Sequence, residues 1–274
     1  MTELDSQQAT TDAVDIAKRF LEARASARAL ADYPGRVPET LAVAYRAQEY
    51  EIEHWSDRLA GWKVARIGPE WQDRYPEPRL IGPAFARNVR EARDGQVIEC
   101  PVFEGGFAAV EAEIVIRVGA DSPAGKTVWS LEEAQALVGS IHIGVEVASS
   151  PLATLNDLGP GAVISDFGNN WGVIVGPAIP DWQTREEIAA ESFIEGEPVG
   201  RGVARMREGA LGALAFTLEK CAQRKRRLVA GDVISTGMIT GVHDIKIGQS
   251  SRHVFEGFGE IRCTATKAQP YERD

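Results

Sequence analysis

Cysteine is scarce in this sequence: 274 residues contain only 3 cysteines, and no two of them form a CxxC pair. Cys100, Cys221 and Cys263 stand far apart along the chain. Isolated cysteines suit a reducing compartment, where they serve as small core residues. The sequence therefore predicts a cytoplasmic protein.

Long apolar runs and a basic surface are also lacking. No stretch approaches the roughly 18 consecutive apolar residues of a membrane helix, and the polar start of the chain, MTELDSQQAT, predicts no signal peptide. The formal net charge is −10, whereas sequence-independent nucleic-acid binding needs a basic face. We therefore expect neither a membrane nor a nucleic acid as a partner. The chain also shows no internal repeat and no low-complexity segment.

The composition that remains is typical of a globular protein, with 44% hydrophobic and 26% charged residues. Apolar residues recur at helical spacing over residues 12–30 and again over 38–59, and the sequence DYPGRVP separates the two runs. Pro38 in the first turn and Gly61 just past the end are expected to bound the second helix.

After Gly61 the pattern changes to short valine- and isoleucine-rich runs between glycine turns. Many short strands with frequent turns indicate an antiparallel or mixed sheet that folds over on itself. Helices are expected to interrupt it at SLEEAQALVG, which has capping-box spacing, and at EGALGALAFTLEKCAQRKRRL. The predicted fold class is α+β, with an N-terminal helical segment (residues 1–60) followed by a β-rich core (61–274). The expected strands are GWKVARIG, QVIECPVF, AEIVIRV, HIGVEVA, AVISDFG, WGVIVG, SFIEGEPVGRGVARM, GDVISTG and HVFEGFGEIRCTAT.

Two glutamates stand two positions apart in the strand sequence VEAEIVIRVG, residues 110–119. Side chains alternate along a strand, so Glu111 and Glu113 share one face while apolar residues line the other. Two such carboxylates can present oxygens to a hard cation such as Mg²⁺ or Mn²⁺. A half-exposed strand with a solvated face explains the pair as well.

A second strand, SIHIGVEVASS, repeats this arrangement. Glu146 is on its polar face together with His142, and Gly144 leaves space beside the glutamate. Three carboxylates on two strands could hold a divalent ion and leave positions open for a bidentate ligand. His142 could join them, although a lone strand histidine is more often structural.

Three further stretches carry polar residues beside apolar strands. Lys63 in GWKVARIG lies among apolar neighbours, and desolvation there would lower its pKa toward the range of proton exchange; a surface lysine passing Trp62 is the alternative. The insert SDFGNN places Asp166 and Asn169 on a connecting loop, where binding residues and simple turn residues both occur. In GDVISTGMITGV, Thr236 and Gly237 could offer donors to an anion or form a tight turn.

The order of these stretches resembles the fumarylacetoacetate hydrolase superfamily. The blocks are GWKVARIG, VEAEIVIRVG, IGVEVASS, ISDFGNNWGVIVG and AGDVISTGMITGV. Among its branches they are most similar to the 2-keto-4-pentenoate hydratases, which include 4-oxalocrotonate decarboxylases. The resemblance runs from about residue 61 to the C-terminus, and the two N-terminal helices fit that branch as well.

The resemblance implies a mixed β-sandwich or β-roll core, a homo-oligomer and a Mg²⁺ or Mn²⁺ ion that the keto carboxylate of a small-molecule substrate chelates. It implies that Lys63 is an acid/base group beside the substrate and that Asp166 opens a functional loop. The metal ligands implied are Glu111, Glu113 and Glu146, and the substrate-binding residues are Asn169, Thr236 and Gly237.

The sequence departs from the hydratase pattern at two places. Ser149 and Ser150 replace an acidic and a basic residue, and Arg66 follows shortly after Lys63. Arg66 could meet a second substrate carboxylate or pair on the surface. These departures affect the substrate identity more than the metal site.

The expected activity is metal-dependent hydration of a 2-hydroxy-2,4-dienoate to a 4-hydroxy-2-oxo acid in the catabolism of aromatic or related compounds. The expected catalytic residues are Lys63, which moves the proton, and Asp166, which orients the lysine or the water. Decarboxylation of a 2-oxo-3-enedioate is a close alternative, since it needs the same electron sink. Carbon–carbon hydrolysis needs a base that activates water, often a histidine–carboxylate dyad, and the sequence shows no evident dyad of this kind. Dehydration of a sugar acid is another alternative. A non-catalytic subunit that binds metal and a keto acid is the alternative from a different class.

Overall fold

The computed structural model of the protein describes residues 3–93 and 95–271, with the backbone alone described for residues 3–8. It contains helices and strands in an order that begins with two helices. The helices are α1 (Glu3–Ser26), α2 (Leu41–His54), α3 (Leu131–Gln135), α4 (Pro160–Ile164) and α5 (Gly212–Gln223). The strands are β1 (Leu59–Arg66), β2 (Arg79–Phe85), β3 (Val89–Glu91), β4 (Val97–Val102), β5 (Phe107–Val118), β6 (Val138–Ser150), β7 (Asn170–Ala178), β8 (Glu187–Ile194), β9 (Glu197–Arg205), β10 (Val233–Ser235), β11 (His243–Asp244), β12 (Ser250–Phe255) and β13 (Gly259–Lys267).

The strands form two mixed sheets. The larger has the order β2-β1-β10-β5-β6-β7-β3, with β11 also paired to β5, and the smaller has the order β4-β13-β12-β8-β9. Parallel pairs (β1 with β10, β3 with β7, β13 with β4) stand beside antiparallel ones. One apolar cluster includes buried residues of both sheets and of helices α2 and α5. The mixed α and β architecture predicted from the sequence is confirmed; the boundary at residue 60 stays a prediction.

Both N-terminal helices exist, but their limits differ from the prediction. The first ends at Ser26 because Ala27 adopts a left-handed φ of 53°. The second begins after Thr40, whose side chain accepts a hydrogen bond from the Val43 N–H, and it ends where Trp55 turns to an extended conformation. Gly61 does not stop this helix. It lies inside β1, where a side chain would collide with β10, because a Cβ at this position would lie 1.9 Å from the Val233 carbonyl oxygen.

The predicted strand AVISDFG is wrong. Pro160–Ile164 form the short helix α4, with Pro160 in its first turn, and Phe167–Asn169 form a single turn with left-handed φ values. The predicted capping box of α3 is confirmed: Ser130 and Glu133 bond reciprocally.

Strands β5 and β6 are at the centre of the larger sheet, flanked by β10 and β7. Glu111 is directly opposite Glu146, and Glu113 is opposite Gly144. Both faces of β5 are buried here, since Glu111 is 8% exposed and Glu113 is 0% exposed. A solvated strand face therefore does not explain the paired glutamates.

The three cysteines are buried and free, as small core residues. None of the helices in the described residues has the length and apolar character needed to cross a membrane.

Candidate metal centre and its cavity

A cavity of about 730 Å³ opens between β1, the loop after β10 and strand β9 of the smaller sheet. Lys63, Glu111, Asn169, Thr236 and Gly237 all line it. The structure thus brings five of the predicted site residues to one concave surface. Their strands converge because β1 and β5 both pair with the short strand β10.

The three predicted metal ligands form one buried cluster. An oxygen from each of Glu111, Glu113 and Glu146 lies within 4.8 Å of the others. The glutamates meet because β5 and β6 pair antiparallel, with two of them in direct register. Gly144 beside them does not leave open space: a Cβ added to it would lie 2.3 Å from the Val115 side chain. The glycine lets β5 and β6 pack closely at the cluster.

Only part of this cluster is satisfied by hydrogen bonds. The Gly237 N–H donates to Glu113 Oε2 at 2.9 Å, and the Ser235 hydroxyl donates to the same oxygen. Glu113 Oε1 and Glu146 Oε2 are buried without a hydrogen-bond partner. Unpaired buried carboxylate oxygens carry a large desolvation penalty. A divalent cation with oxygen ligands would remove that penalty, so the residues present fit such an ion.

The pKa values of the cluster reflect burial and mutual repulsion. Burial, followed by the charge of Glu146, raises the pKa of Glu111 to about 8. Burial and the two neighbouring glutamates raise the pKa of Glu113 well above its usual range, although Ser235 and Gly237 oppose this. Carboxylates that repel one another in a dry site are the charge pattern expected of ligands for a cation.

Lys63 lies at the edge of the same cluster. Its ammonium is 3.0 Å from Glu146 Oε1, and the side chains are 5% and 1% exposed. Burial by itself lowers the pKa of Lys63, but the surrounding carboxylates raise it more, so the net pKa is raised. The sequence-based expectation of a lowered pKa is therefore wrong, because it considered the apolar neighbours along the strand and not the carboxylates across the sheet.

Asp166 does not line the cavity of Lys63. The Arg24 guanidinium of α1 bonds its carboxylate through Nε, and also donates to the backbone carbonyls of Asp166, Ser149 and Asn170. Arg24 and Asp166 are both buried. The ion pair thus fastens helix α1 to the loop between α4 and β7.

Asn169, at the other end of this loop, does line the cavity. Its amide donates one hydrogen bond to Asn156 Oδ1 at 3.2 Å. Gly168, between Asp166 and Asn169 in the loop, packs against Gly82 of β2. A Cβ added to Gly168 would lie 3.4 Å from Lys63 Cε. One short loop therefore contacts both the Arg24 ion pair and the lysine.

The turn after β10 supplies the remaining predicted residues. The Thr236 hydroxyl donates to the Ile114 carbonyl at 2.8 Å, while the Gly237 N–H is bonded to Glu113. Ser149 is one of the two positions where the sequence departs from the hydratase pattern. Its hydroxyl accepts a hydrogen bond from the Phe103 N–H and donates one to the Phe107 carbonyl. The Ser149 position is thus structural, tying β6 to the chain before β5.

Sequence reasoning missed three residues that the structure places at or behind the site: Arg24, Arg79 and Ser235. Arg24 and Arg79 lie outside the recognisable blocks. Ser235 precedes Thr236 on a predicted strand. Because side chains alternate along a strand, Ser235 and Thr236 point to opposite faces, and this alternation could have identified Ser235 as the residue facing Glu113.

No histidine in the described part of the chain pairs with a carboxylate. His253 is buried between the Ser192 and Ser251 hydroxyls, and His243 bonds Thr240. His54 and His142 bond backbone carbonyls, and His142 also contacts Ser140. The histidine–carboxylate dyad of a hydrolytic site is therefore absent from these residues, and His142 is not in the metal cluster.

Several solved protein structures have a fold similar to that of this chain. The chain is similar to 4-oxalocrotonate decarboxylase from Pseudomonas putida G7, complexed with magnesium and adipate, with a TM-score of 0.74 and 19% identity over 95% of this chain and 98% of that chain. It is also similar to fumarylpyruvate hydrolase from Pseudomonas aeruginosa, in complex with Mn²⁺ and pyruvate (TM-score 0.57, 18% identity, 77% and 91% covered).

A third neighbour is 5-carboxymethyl-2-hydroxymuconate delta-isomerase from Mycobacterium smegmatis (TM-score 0.55, 18% identity, 77% and 81% covered). No family model and no curated protein matches the sequence. These neighbours are members of the fumarylacetoacetate hydrolase superfamily, and they are enzymes. The chain has their fold, which confirms the resemblance seen in the sequence at the level of architecture.

Proposed function

We propose that this protein is a metal-dependent lyase that hydrates a 2-hydroxy-2,4-dienoate to a 4-hydroxy-2-oxo acid. The observation that carries the proposal is the buried cluster of three glutamates with unpartnered oxygens, in contact with a buried lysine at the end of a cavity. Glu111, Glu113 and Glu146 would hold Mg²⁺ or Mn²⁺. The two neighbours with bound Mg²⁺ and Mn²⁺ support this choice of cofactor.

A bound cation in this position would withdraw electrons from the keto acid and stabilise enolate charge. The chain's own residues must move the protons. Lys63 lies against Glu146 and lines the cavity. Its ammonium can deliver a proton to the terminal carbon of the dienol, and the resulting amine can take the proton that the 2-hydroxyl group loses, which gives the enone. In the hydration step, water adds at the β-carbon of the resulting enone, and the adjacent carbon takes up a proton.

The other predicted residues act through binding and positioning in this proposal. Asn169 has an amide N–H left for the substrate carboxylate, because its side chain donates only one bond to the protein. Thr236 and Gly237 hold the turn that supports Glu113 and form the wall facing the substrate. Asp166 positions the loop through Arg24 rather than exchanging protons itself.

Decarboxylation of a 2-oxo-3-enedioate is the second candidate. It uses the same electron sink, releasing CO₂ where hydration adds water. The neighbour with a decarboxylase activity supports it. Arg66 lines the cavity beside Arg79 but lies on the face of β1 opposite to Lys63, so it does not decide between the two reactions. Cytoplasmic location, a role in aromatic catabolism and a homo-oligomeric state complete the proposal.

The metal site is tested by titrating purified protein with Mn²⁺ and following bound metal by electron paramagnetic resonance. Glu111→Gln keeps the shape of the side chain and removes one ligand charge, so we expect Mn²⁺ affinity to fall at least about tenfold. The matched control is Glu256→Gln, an exposed glutamate, which should bind Mn²⁺ like the wild type. Unchanged affinity in Glu111→Gln would refute the site.

The reaction is tested with a panel of 2-hydroxydienoates and 2-oxo-enedioates, with and without Mg²⁺. Metal-dependent loss of dienol absorbance without CO₂ supports hydration, and CO₂ release supports decarboxylation. Turnover of no member of the panel would leave the metal-binding, non-catalytic alternative standing and overturn the lyase.

A further inference from the structure

A second cavity, of about 190 Å³, lies beside the loop between α4 and β7. Phe167 of this loop and Asn170, the first residue of β7, line it. Asn169 between them lines the metal cavity, and no described residue lines both. The second cavity is therefore a separate space, and the proposed reaction makes no use of it.

Aromatic rings form most of the wall of this second cavity. The Trp55 ring centroid is 5.4 Å from that of Phe167 and 4.5 Å from that of Tyr271, and the Phe85 centroid is 4.9 Å from that of Phe167. These pairs are tilted or edge-on, the arrangements that aromatic rings prefer when they pack together. A further planar ring is therefore a ligand that this wall can pack against. The aromatic residues that line the cavity are Trp55, Phe85, Phe103, Phe167, Trp171 and Tyr271.

The volume of the cavity sets the size of the ligand. An apolar cavity of about 150 Å³ inside a protein is large enough to bind benzene. At about 190 Å³ the second cavity has room for one six-membered ring with a small substituent. Gln269 on its wall is exposed, so the cavity reaches the surface and a solute can enter.

Two polar atoms of wall residues have no hydrogen-bond partner among the described residues. Asn170 is only 2% exposed, and its side-chain nitrogen donates to the Pro83 carbonyl at 2.8 Å, but its Oδ1 is unpaired. The indole N–H of Trp55 is also unpaired. Buried polar atoms without partners cost free energy. One acceptor and one donor match a hydroxyl group, which both donates and accepts.

The charge of the wall favours a neutral ligand. Arg24 is the one charged side chain among the described residues that line the cavity. Its guanidinium bonds the Asp166 carboxylate, donates to three backbone carbonyls and lies 4.5 Å from the centroid of the Phe167 ring. Because this charge is already paired, an anionic ligand would lose its hydration without gaining a cation.

We propose that the second cavity binds a neutral phenol, a single aromatic ring that carries a hydroxyl group. The ring packs among the aromatic side chains, and the hydroxyl donates to Asn170 Oδ1, with the Trp55 indole N–H available to its oxygen. The ligand also packs on Phe167, in the loop that carries Asn169 and approaches Lys63. This site is independent of the proposed lyase reaction.

The test titrates the full-length protein with phenol and with toluene, which has a methyl group in place of the hydroxyl. Binding of each ligand is measured by calorimetry. We expect saturable binding of phenol with a dissociation constant of about 1 mM or lower, as a fragment of this size in an apolar cavity can reach.

Two variants test the place and the chemistry of the site. Asn170→Leu is close in size but has no acceptor, so the ratio of phenol affinity to toluene affinity should fall about tenfold while toluene still binds. Ala268→Phe fills the cavity, since Ala268 is buried on its wall, and should abolish the binding of both ligands. Ala124→Phe, at an exposed alanine, is the matched control and should bind both ligands like the wild type. Circular dichroism checks that each variant is folded.

Absence of saturable phenol binding to the wild type would overturn the site. An unchanged ratio of the two affinities in folded Asn170→Leu, or an equal loss of both ligands, would overturn it too, because the hydroxyl would then not be bonded to Asn170. Undiminished binding in folded Ala268→Phe would place the phenol elsewhere and would also refute the proposal. The Mn²⁺ titration of the glutamate cluster tests the proposed function separately, so either proposal can fail without the other.

Discussion

The protonation of Lys63 depends on the charged groups around it. Buried among apolar residues alone, a lysine loses its proton readily. Here Glu146 is 3.0 Å away and the other carboxylates are close, so the pKa is raised and the ammonium is kept. Any positive charge that offsets the glutamates removes this attraction, and burial then favours the neutral amine. The residue can therefore serve as an acid or as a base, according to the charge beside it.

Replacing Lys63 tests this role directly. Lys63→Met keeps the length of the side chain but cannot move a proton, so kcat on the best substrate of the panel should fall about 10²- to 10⁴-fold. Mn²⁺ affinity should be kept or increase, because a positive charge leaves the cluster. Lys246→Met, at an exposed lysine, is the control and should keep wild-type kcat. Undiminished kcat in Lys63→Met would show that another group moves the proton.

Burial controls the pKa of His253. The ring is 0% exposed, between the Ser192 and Ser251 hydroxyls. Burial, and then the neighbouring His243, lower the pKa of His253 to about 3. The unfolded chain, with an ordinary histidine pKa of about 6.5, therefore binds more protons between these values. Stability from this residue is present above about pH 6.5 and is lost as the pH falls toward 3.

The size of this loss can be measured by urea unfolding. Between about pH 7 and pH 5, His253 should remove about 2 kcal/mol from the free energy of unfolding. His253→Gln has no such titration, so its stability should fall by about 2 kcal/mol less over the same interval. His54→Gln, at an exposed histidine, should follow the wild type. Parallel pH dependence of His253→Gln and the wild type would contradict the explanation.

At the scale of elements, the loop from Asp166 to Asn170 joins two parts of the protein. Arg24 of α1 donates hydrogen bonds to both ends of the loop, at Asp166 and Asn170, and Gly168 in its middle packs against β2 and Lys63. Phe167, Gly168 and Asn169 all have left-handed φ values, of 50°, 67° and 62°. A run of such conformations is uncommon, and it persists here because the surrounding contacts hold it. The glycine at its centre permits the close approach to Gly82.

Gly168→Ala should disturb both the loop and the lysine. The added Cβ would lie 2.7 Å from Gly82 Cα and 3.4 Å from Lys63 Cε. Gly257→Ala is a matched control, because Gly257 also has a positive φ (81°) but a Cβ there meets nothing within 4 Å. We expect Gly168→Ala to lower the free energy of unfolding by about 1–3 kcal/mol more than Gly257→Ala, and to lower kcat. Equal effects on stability in thermal or urea unfolding would argue against the contact.

At the scale of the whole molecule, the glutamate cluster couples metal binding to stability. Its strands β5 and β6 are at the centre of the larger sheet, so the repulsion among the carboxylates acts on the core of the fold. A ligand that binds only the folded state stabilises it by mass action. The free energy of unfolding should therefore depend on the concentration of divalent ion.

Adding Mg²⁺ or Mn²⁺ at about 100 times its dissociation constant should stabilise the protein by about 2.7 kcal/mol. For a protein of this size the midpoint of thermal unfolding should rise by about 5–10 °C. Glu113→Gln should lose most of this rise, whereas Glu256→Gln should keep it. A scanning calorimetry series with and without metal measures both. No metal-dependent rise in the wild type would count against the cation site.

The sequence predicted the strands of the site better than its connections. Alternation in residues 110–119 and 140–150 placed the glutamates on the correct faces, and the order of motifs led to the fold. Strand β2 was missed because Pro83 interrupts its pattern; the structure places it at the sheet edge, where a missing N–H is tolerated. The segment 162–168 was predicted as a strand because a short apolar run has no period of its own.

The sequence by itself determined which side chains share a strand face, because the alternation of side chains along a strand is a local property. Glu111 and Glu113 therefore lie on one face of their strand, and Glu146 lies on the polar face of the next. Only the tertiary structure decided what these side chains became. Burial of both faces of β5, the raised pKa of Lys63 and the pairing of Asp166 with Arg24, 142 residues away, all depend on strand pairing and packing between distant segments. Charge in a protein interior depends on desolvation and on neighbours in space, and neither is contained in the local order of residues.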